Sequence, residues 1–173
     1  RRGVGTIVSP SQVHRPVELT SLMKDLVEAG HKVQTTIQRY EARPATEAEA
    51  EALKIEAGTL IVHIERTRFT NNEPIAVLRN LIPADIAPTM QELESGSLYD
   101  LMRERGVTLT SARQVIGART ATTKEAKLLS EHRGAALLTT QRTTYDPSGR
   151  IVEYGDHIYR ASRYSFEANL FAQ

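Results

Sequence analysis

Two arginines, Arg66 and Arg68, stand two residues apart at the end of an alternating apolar run, Leu60, Val62 and Ile64. Strand side chains repeat every two residues, so this spacing puts two guanidinium groups at one end of an otherwise apolar surface. Forked, permanently charged groups of this kind bind phosphate or carboxylate in bidentate fashion. The competing reading is a pair of solvated or carboxylate-paired strand arginines, and spacing alone does not choose between them. A second anion-favouring feature is Ser97-Leu98-Tyr99, which opens a helix. Free N–H groups and the helix dipole attract an anion there, and an N-cap role for Ser97 is the plain alternative. The third feature is Glu153, placed on the face of Ile151 in a strand expected to be half buried. A buried carboxylate is costly unless it is paired or hydrogen-bonded. Its partner is then an arginine or the hydroxyl groups of a ligand, and a structural ion pair is equally open.

The elements that must position these groups are legible in order. Residues 59–82 read as a β-hairpin, turned at Asn71-Asn72-Glu73-Pro74 and returning through Ile75, Val77 and Leu81. Ahead of it come a helix over 21–29 stopped by Gly30, a strand over 33–43, and a short helix opened by Thr46 with Glu49 in capping-box position. Behind it, 83–96 is a connection, 97–105 a helix stopped by Gly106, and 109–119 a strand. Thr122 and Glu125 open another helix, 136–145 and 151–159 form a second hairpin across Asp146-Pro147-Ser148-Gly149, and 163–168 is a last strand.

This order repeats. At an offset of 76, residues 21–82 fall on 97–158 without a gap. Gly30 falls on Gly106, Ala42-Arg43 on Ala118-Arg119, Thr46 and Glu49 on Thr122 and Glu125, Gly58 on Gly134, and Arg66-Thr67 on Arg142-Thr143. Two copies of a helix, strand, helix and hairpin are expected to share one antiparallel sheet about a pseudo-two-fold axis, with helices on its faces. The departures stand out against that plan: Arg68 answers to Thr144, Val77 to Glu153, Pro83 to Tyr159 and Met23 to Tyr99.

Bulk composition narrows the function classes. The chain has 173 residues, a net charge of +1 and no cysteine. One domain with a self-sufficient core is expected. The balanced charge argues against a nucleic-acid surface. Disulfides, thiolate metal sites and cysteine nucleophiles are excluded, which fits a reducing, cytoplasmic setting. No apolar run is long enough for a membrane span. The histidines lack metal-ligand spacing, and no nucleophile elbow, phosphate-binding loop or dinucleotide fingerprint occurs. Asp156-His157 beside Glu153 reads as a solvated or structural cluster. Neither a metal nor a cofactor is expected.

Taken together, the motifs resemble one family. They are R-T-R-F at 66–69 followed by N-N-E-P-I, L-I-P at 81–83, G-S-L-Y at 96–99, and D-H-I-Y-R-x-x-R-Y-S-F at 156–166. In this pattern the chain resembles the effector-binding (UTRA) domain of GntR-type bacterial transcription regulators of the HutC subfamily, from Leu19 to Ala168. The resemblance implies an α+β, chorismate-lyase-like fold with a central antiparallel sheet flanked by helices. It implies a homodimer that binds a small-molecule effector such as a phosphosugar or a carboxylate, acts as a repressor and does not catalyse. Residues 1–16 resemble the end of a winged-helix wing strand and a linker, with 17–173 as the effector domain. DNA is then reached through an N-terminal winged-helix domain absent from this chain. The family assigns the anion to positions matching Arg66, Arg68, Ser97 and Tyr99, and sugar hydroxyls to those matching Glu153 and Tyr159. Arg79, on the face of Val77 and Leu81, is a further pocket candidate without a family counterpart. No acidic residue lies between Arg160 and Arg163, where many members carry one, so local ion pairing there is expected to differ. The alternatives are a chorismate-lyase-like enzyme using the same arginines on a carboxylate, and a dimerisation module with a vestigial pocket.

Overall fold

The computed structural model of the chain describes residues 13–16 and 22–167. In chain order these form β1 (Val13–Pro16), α1 (Leu22–Glu28), β2 (Val33–Pro44), α2 (Glu47–Leu53), β3 (Leu60–Thr70), β4 (Glu73–Pro83), α3 (Met90–Ser95), α4 (Leu98–Glu104), β5 (Ser111–Thr120), α5 (Thr123–Leu128), β6 (Ala136–Tyr145), β7 (Ile151–Arg160) and β8 (Tyr164–Glu167). Six strands make one antiparallel sheet in the order β2-β3-β4-β7-β6-β5. The order is two copies of one three-strand unit meeting at β4 and β7, as the internal repeat requires.

Helices cover both faces of the sheet. Leu22 and Leu26 of α1 pack on Ile75, Ala76, Leu78 and Tyr159, and α3 and α4 bring Leu93, Leu98, Tyr99 and Met102 onto Val62, Ile64 and Ile82. On the opposite face, Ala50 and Leu53 of α2 pack on Ile61 and Ile151, and Ala126 of α5 packs on Val77, Leu137 and Ile158. Three helices carry complete capping boxes, at Thr46–Glu49, Thr89–Glu92 and Thr122–Glu125. Each cap contributes about 1 kcal/mol, which matters for helices too short to persist alone.

Several sequence expectations need correction. The connection over 83–96 contains α3, whose Thr89–Glu92 capping pattern sits behind two prolines. Residues 13–16, read as linker, form a strand parallel to β8; residues 1–12 lie outside the described part. The first hairpin turns on Asn71 and Asn72 alone, both at positive φ (51° and 67°), with Glu73 and Pro74 already on β4. Asparagine tolerates this left-handed backbone better than most residues.

The repeat is also not gap-free. Arg66 pairs with Leu78 in the first half and Arg142 with Gly155 in the second, so an offset of 76 on β3/β6 becomes 77 on β4/β7. The second hairpin holds one residue more than the first between equivalent paired positions. Glu153 therefore answers to Ala76 rather than Val77, and Tyr159 to Ile82 rather than Pro83. A register shift beside Tyr145 also separates Ile151 from Glu153. Ile151 joins the α2 side, while Glu153 lies on the α1/α4 side with Asn80 and Tyr99.

Candidate functional site

The candidate site lies between the centre of the sheet and helices α1 and α4. A cavity of about 30 Å³ is lined by residues that include Arg66, Arg68, Asn80, Tyr99, Arg142 and His157. That volume holds a couple of water molecules. Leu22, Leu78, Leu98 and Tyr159 complete the wall.

The strand periodicity delivers Arg66 and Arg68 to this face, and both are almost wholly buried, at 2% and 1% exposure. Among the described residues neither has a carboxylate within ion-pair distance. Arg66 donates from Nη2 to Asn80 Oδ1 at 2.8 Å, while its Nε and Nη1 are buried without a partner. Arg68 donates to the Thr35 hydroxyl, and its Nε is also unpartnered. The energetic cost appears in their acidities. Burial lowers Arg66 to about 10, with Glu153 opposing the shift, and burial together with Arg66 lowers Arg68 to about 9. Removing an ion from water costs several kcal/mol when no counter-charge repays it.

The remaining predicted site residues divide. Tyr99 reaches the cavity wall, and its hydroxyl contacts Thr144 at 3.1 Å and donates to Glu153 at 3.2 Å. Burial and the Glu153 charge push its phenol up to about 12, so it remains a donor. Tyr159 is fully buried, stacks on Tyr164 at 4.4 Å and contacts His157 Nδ1 at 3.3 Å. Ser97 occupies the N-cap position of α4 without making the cap hydrogen bond, and its Oγ is buried and unpartnered. It lies beside the lining residues Leu98 and Tyr99 but is not itself on the cavity wall.

Glu153 is buried behind the wall. Its carboxylate accepts from Asn80 Nδ2 at 2.6 Å, Thr144 Oγ1 at 2.7 Å and Tyr99. Its protein partners are thus an amide and two hydroxyls, where an arginine was one expectation.

Arg79 does not join the others. Its face of β4 looks toward α5, where Nε donates to Glu65 at 2.7 Å and Nη2 lies 3.7 Å from Glu125. Three polar lining residues were not among the expected site residues: Asn80, Arg142 and His157, the last read from sequence as part of a solvated or structural cluster. Arg142 carried a usable signal as the repeat counterpart of Arg66. Its Nε donates to Gln114 at 2.8 Å and its Nη1 to Tyr99 at 3.3 Å. Near the C-terminus, glutamates from other elements fill the expected acidic gap: Arg160 pairs with Glu131 at 3.0 Å and Arg163 with Glu73 at 2.5 Å.

Among the described residues no group of acidic or histidine side chains is arranged to hold a metal, and no helix is long and apolar enough to cross a membrane. What remains is a small pocket whose open hydrogen-bonding atoms on the two buried arginines are all donors. Comparison with known proteins identifies the family. Residues 28–165 match the UTRA domain. The chain is 31% identical to the HTH-type transcriptional repressor NagR of Bacillus subtilis over 168 residues, spanning 95% of this chain and 69% of that protein. A crystal structure of a putative transcriptional regulator from Streptomyces coelicolor superposes with a TM-score of 0.75 at 47% identity, covering 83% of this chain and 96% of that one. The crystal structure of PhnF from Mycobacterium smegmatis shares the fold at a TM-score of 0.89 and 24% identity, covering 100% of this chain and 78% of that one. The sheet order, its flanking helices and these matches together make the fold chorismate-lyase-like, and the chain belongs to the UTRA family, the effector-binding domain of GntR-type, HutC-subfamily transcriptional regulators.

Proposed function

We propose that this domain senses a small anionic metabolite, a phosphosugar or a carboxylate, and that Arg66 and Arg68 clamp its anion. The observation that carries this reading is the pair of buried guanidinium groups with no carboxylate within ion-pair distance among the described residues and with unfilled N–H donors at a cavity wall. An incoming oxyanion supplies both the missing counter-charge and the missing acceptors. Ser97 Oγ and the Tyr159 hydroxyl stand close enough to the same wall to add donors. Asn80 and His157 stand on the cavity wall, and Glu153 lies behind them.

A cavity of about 30 Å³ is too small for a whole metabolite. Binding therefore displaces part of the wall, which α1 supplies through Leu22 and α4 through Leu98 and Tyr99. Displacing a wall helix favours one arrangement of the protein over another, as any ligand-driven switch requires. In a homodimer joined at its N-termini to winged-helix DNA readers, that shift would change their spacing and release or strengthen operator binding. This reading is sensing rather than catalysis.

Thermal denaturation against a panel of phosphosugars, sugar acids and aromatic acids tests it. The expected result is stabilisation by one anionic class and loss of that stabilisation in Arg68→Ala. Stabilisation undiminished in Arg68→Ala would overturn the clamp, and turnover of a bound compound would overturn the sensor reading.

A further inference from the structure

The least expected feature of the site is its buried carboxylate. Glu153 has no exposed surface and both of its oxygens are engaged by the protein, so it has little left to offer a ligand. Its contact with Asn80 is more telling. The Asn80 amide nitrogen donates to Glu153 Oε1 at 2.6 Å and faces His157 Nε2 at 3.2 Å. Its oxygen accepts from Arg66 Nη2 at 2.8 Å. An amide has two distinct ends, and only this orientation satisfies all three neighbours. Reversed, it would aim its N–H groups at a guanidinium and its oxygen at a carboxylate.

The network extends one step further: the Asn80 amide nitrogen lies 3.2 Å from His157 Nε2, and His157 Nδ1 lies 3.3 Å from the Tyr159 hydroxyl. The backbone is shaped for the same convergence. A Cβ on Gly155 would lie 2.6 Å from Glu153 Oε1 and 2.7 Å from His157 Nε2. The position opposite Asn80 in the sheet is Gly155, so the two side chains can lean across it toward the amide.

We infer that Asn80 is the residue that positions Arg66 for the ligand's anion, and that Glu153 acts through Asn80, fixing its amide so that its oxygen holds Arg66 Nη2 while Arg66 Nε and Nη1 stay open. The ligand group received at this point is therefore an oxyanion that brings acceptors and no hydrogen of its own. This rests on the anion reading above. It gives Glu153 a positioning role in place of the direct contact with sugar hydroxyls that the resemblance implied.

Inorganic sulfate and inorganic phosphate are suitable probes, because neither has a sugar for Glu153 to touch. Calorimetric titration of the wild-type domain is compared with Asn80→Leu, Glu153→Leu and the double variant. Each single change is expected to lower affinity roughly tenfold, the size of one hydrogen bond to a charged group. The double variant should lose no more than either alone, because both act on the same amide. Glu153→Gln should keep most of the affinity, since its amide oxygen still accepts from Asn80 while the Thr144 and Tyr99 hydroxyls accept from its nitrogen. Gly155→Ala should reproduce the loss without removing any polar group, and it serves as the test if Glu153→Leu does not fold. Wild-type affinity in Asn80→Leu or Gly155→Ala, or losses that multiply in the double variant, would overturn the inference and leave the anion reading intact. A wild-type domain that binds neither ion while Arg68→Ala behaves identically would overturn both.

Discussion

The two halves of the sheet share a backbone plan and part ways at its centre. At the periphery they are alike. Arg43 grips Glu49 through two contacts of 2.7 and 2.6 Å, and Arg119 grips Glu125 through two of 2.7 Å. Each glutamate also closes a capping box, so one carboxylate ties a helix start to the neighbouring edge strand in both halves. At the centre, Arg142 is partnered by Gln114 and Tyr99, whereas Arg66 keeps two open nitrogens. The cause lies one strand away. Arg142 faces Gln114 on β5, but a bulge in β2 skips Gln38 and puts Ile37 opposite Arg66. Thr144 stands where the first half has Arg68 and spends its hydroxyl on Glu153. The interactions that fasten helices to the sheet are retained in both copies, while the central arginine finds hydrogen-bond acceptors at Gln114 and Tyr99 in one copy and keeps open donors in the other.

The shared device can be broken first, with the largest effect. Glu125→Gln should cost about 3 kcal/mol in urea denaturation and Glu49→Gln about 2. The difference arises because Glu125 also lies 3.7 Å from a second cation, Arg79, while among the described residues Glu49 pairs with Arg43 alone. Equal losses would mean that Arg79 contributes nothing. Both carboxyls are held at about 2, chiefly by their arginine hydrogen bonds. A depressed folded-state value gives stability that is complete above the ordinary 4.5 and disappears as pH falls toward about 2. Acid titration of the wild type should show that decline, and each Gln variant should show less of it.

The central difference is sharpened by exchanging the facing residues. Gln114→Ile should cost about 1.5 kcal/mol by stranding the Arg142 Nε donor. Ile37→Gln should give Arg66 an internal acceptor and weaken ligand binding roughly tenfold without loss of stability. A Gln at residue 37 that leaves affinity unchanged would separate the open nitrogens from binding. The smallest effect is at the turn that distinguishes the two hairpins. Asn71→Ala should cost about 1 kcal/mol, because alanine resists the left-handed backbone there.

The sequence revealed most where one strand face is buried and the chain is punctuated. Arg66 and Arg68 were legible because they extend a clean alternation, and the helices because Thr46–Glu49 and Thr122–Glu125 are paired caps. It failed on β4, where Ile75, Ala76, Val77 and Leu78 are all buried. A strand covered on both faces has no period to read, so Arg79 and Asn80 could not be sorted, and it is Asn80 that stands on the cavity wall while Arg79 faces Glu65 and Glu125. His157 was hidden for the same reason on β7. The extra residue in the second hairpin then displaced every equivalence on that strand by one, and only the pairing register reveals it. Strand β1 was missed because its partner β8 lies at the far end of the chain, beyond any local pattern.

The central claim is that Arg68 is an uncompensated buried cation kept for a ligand. The melting temperature of Arg68→Met, measured without ligand beside the wild type, tests this most directly. Replacing an unpaired buried charge with an apolar side chain of similar length is stabilising. The variant should therefore melt above the wild type and show no further rise on adding a ligand that stabilises the wild type. A variant that melts lower and still responds to that ligand would contradict the account, since the guanidinium would then be a structural group and the anion would bind elsewhere.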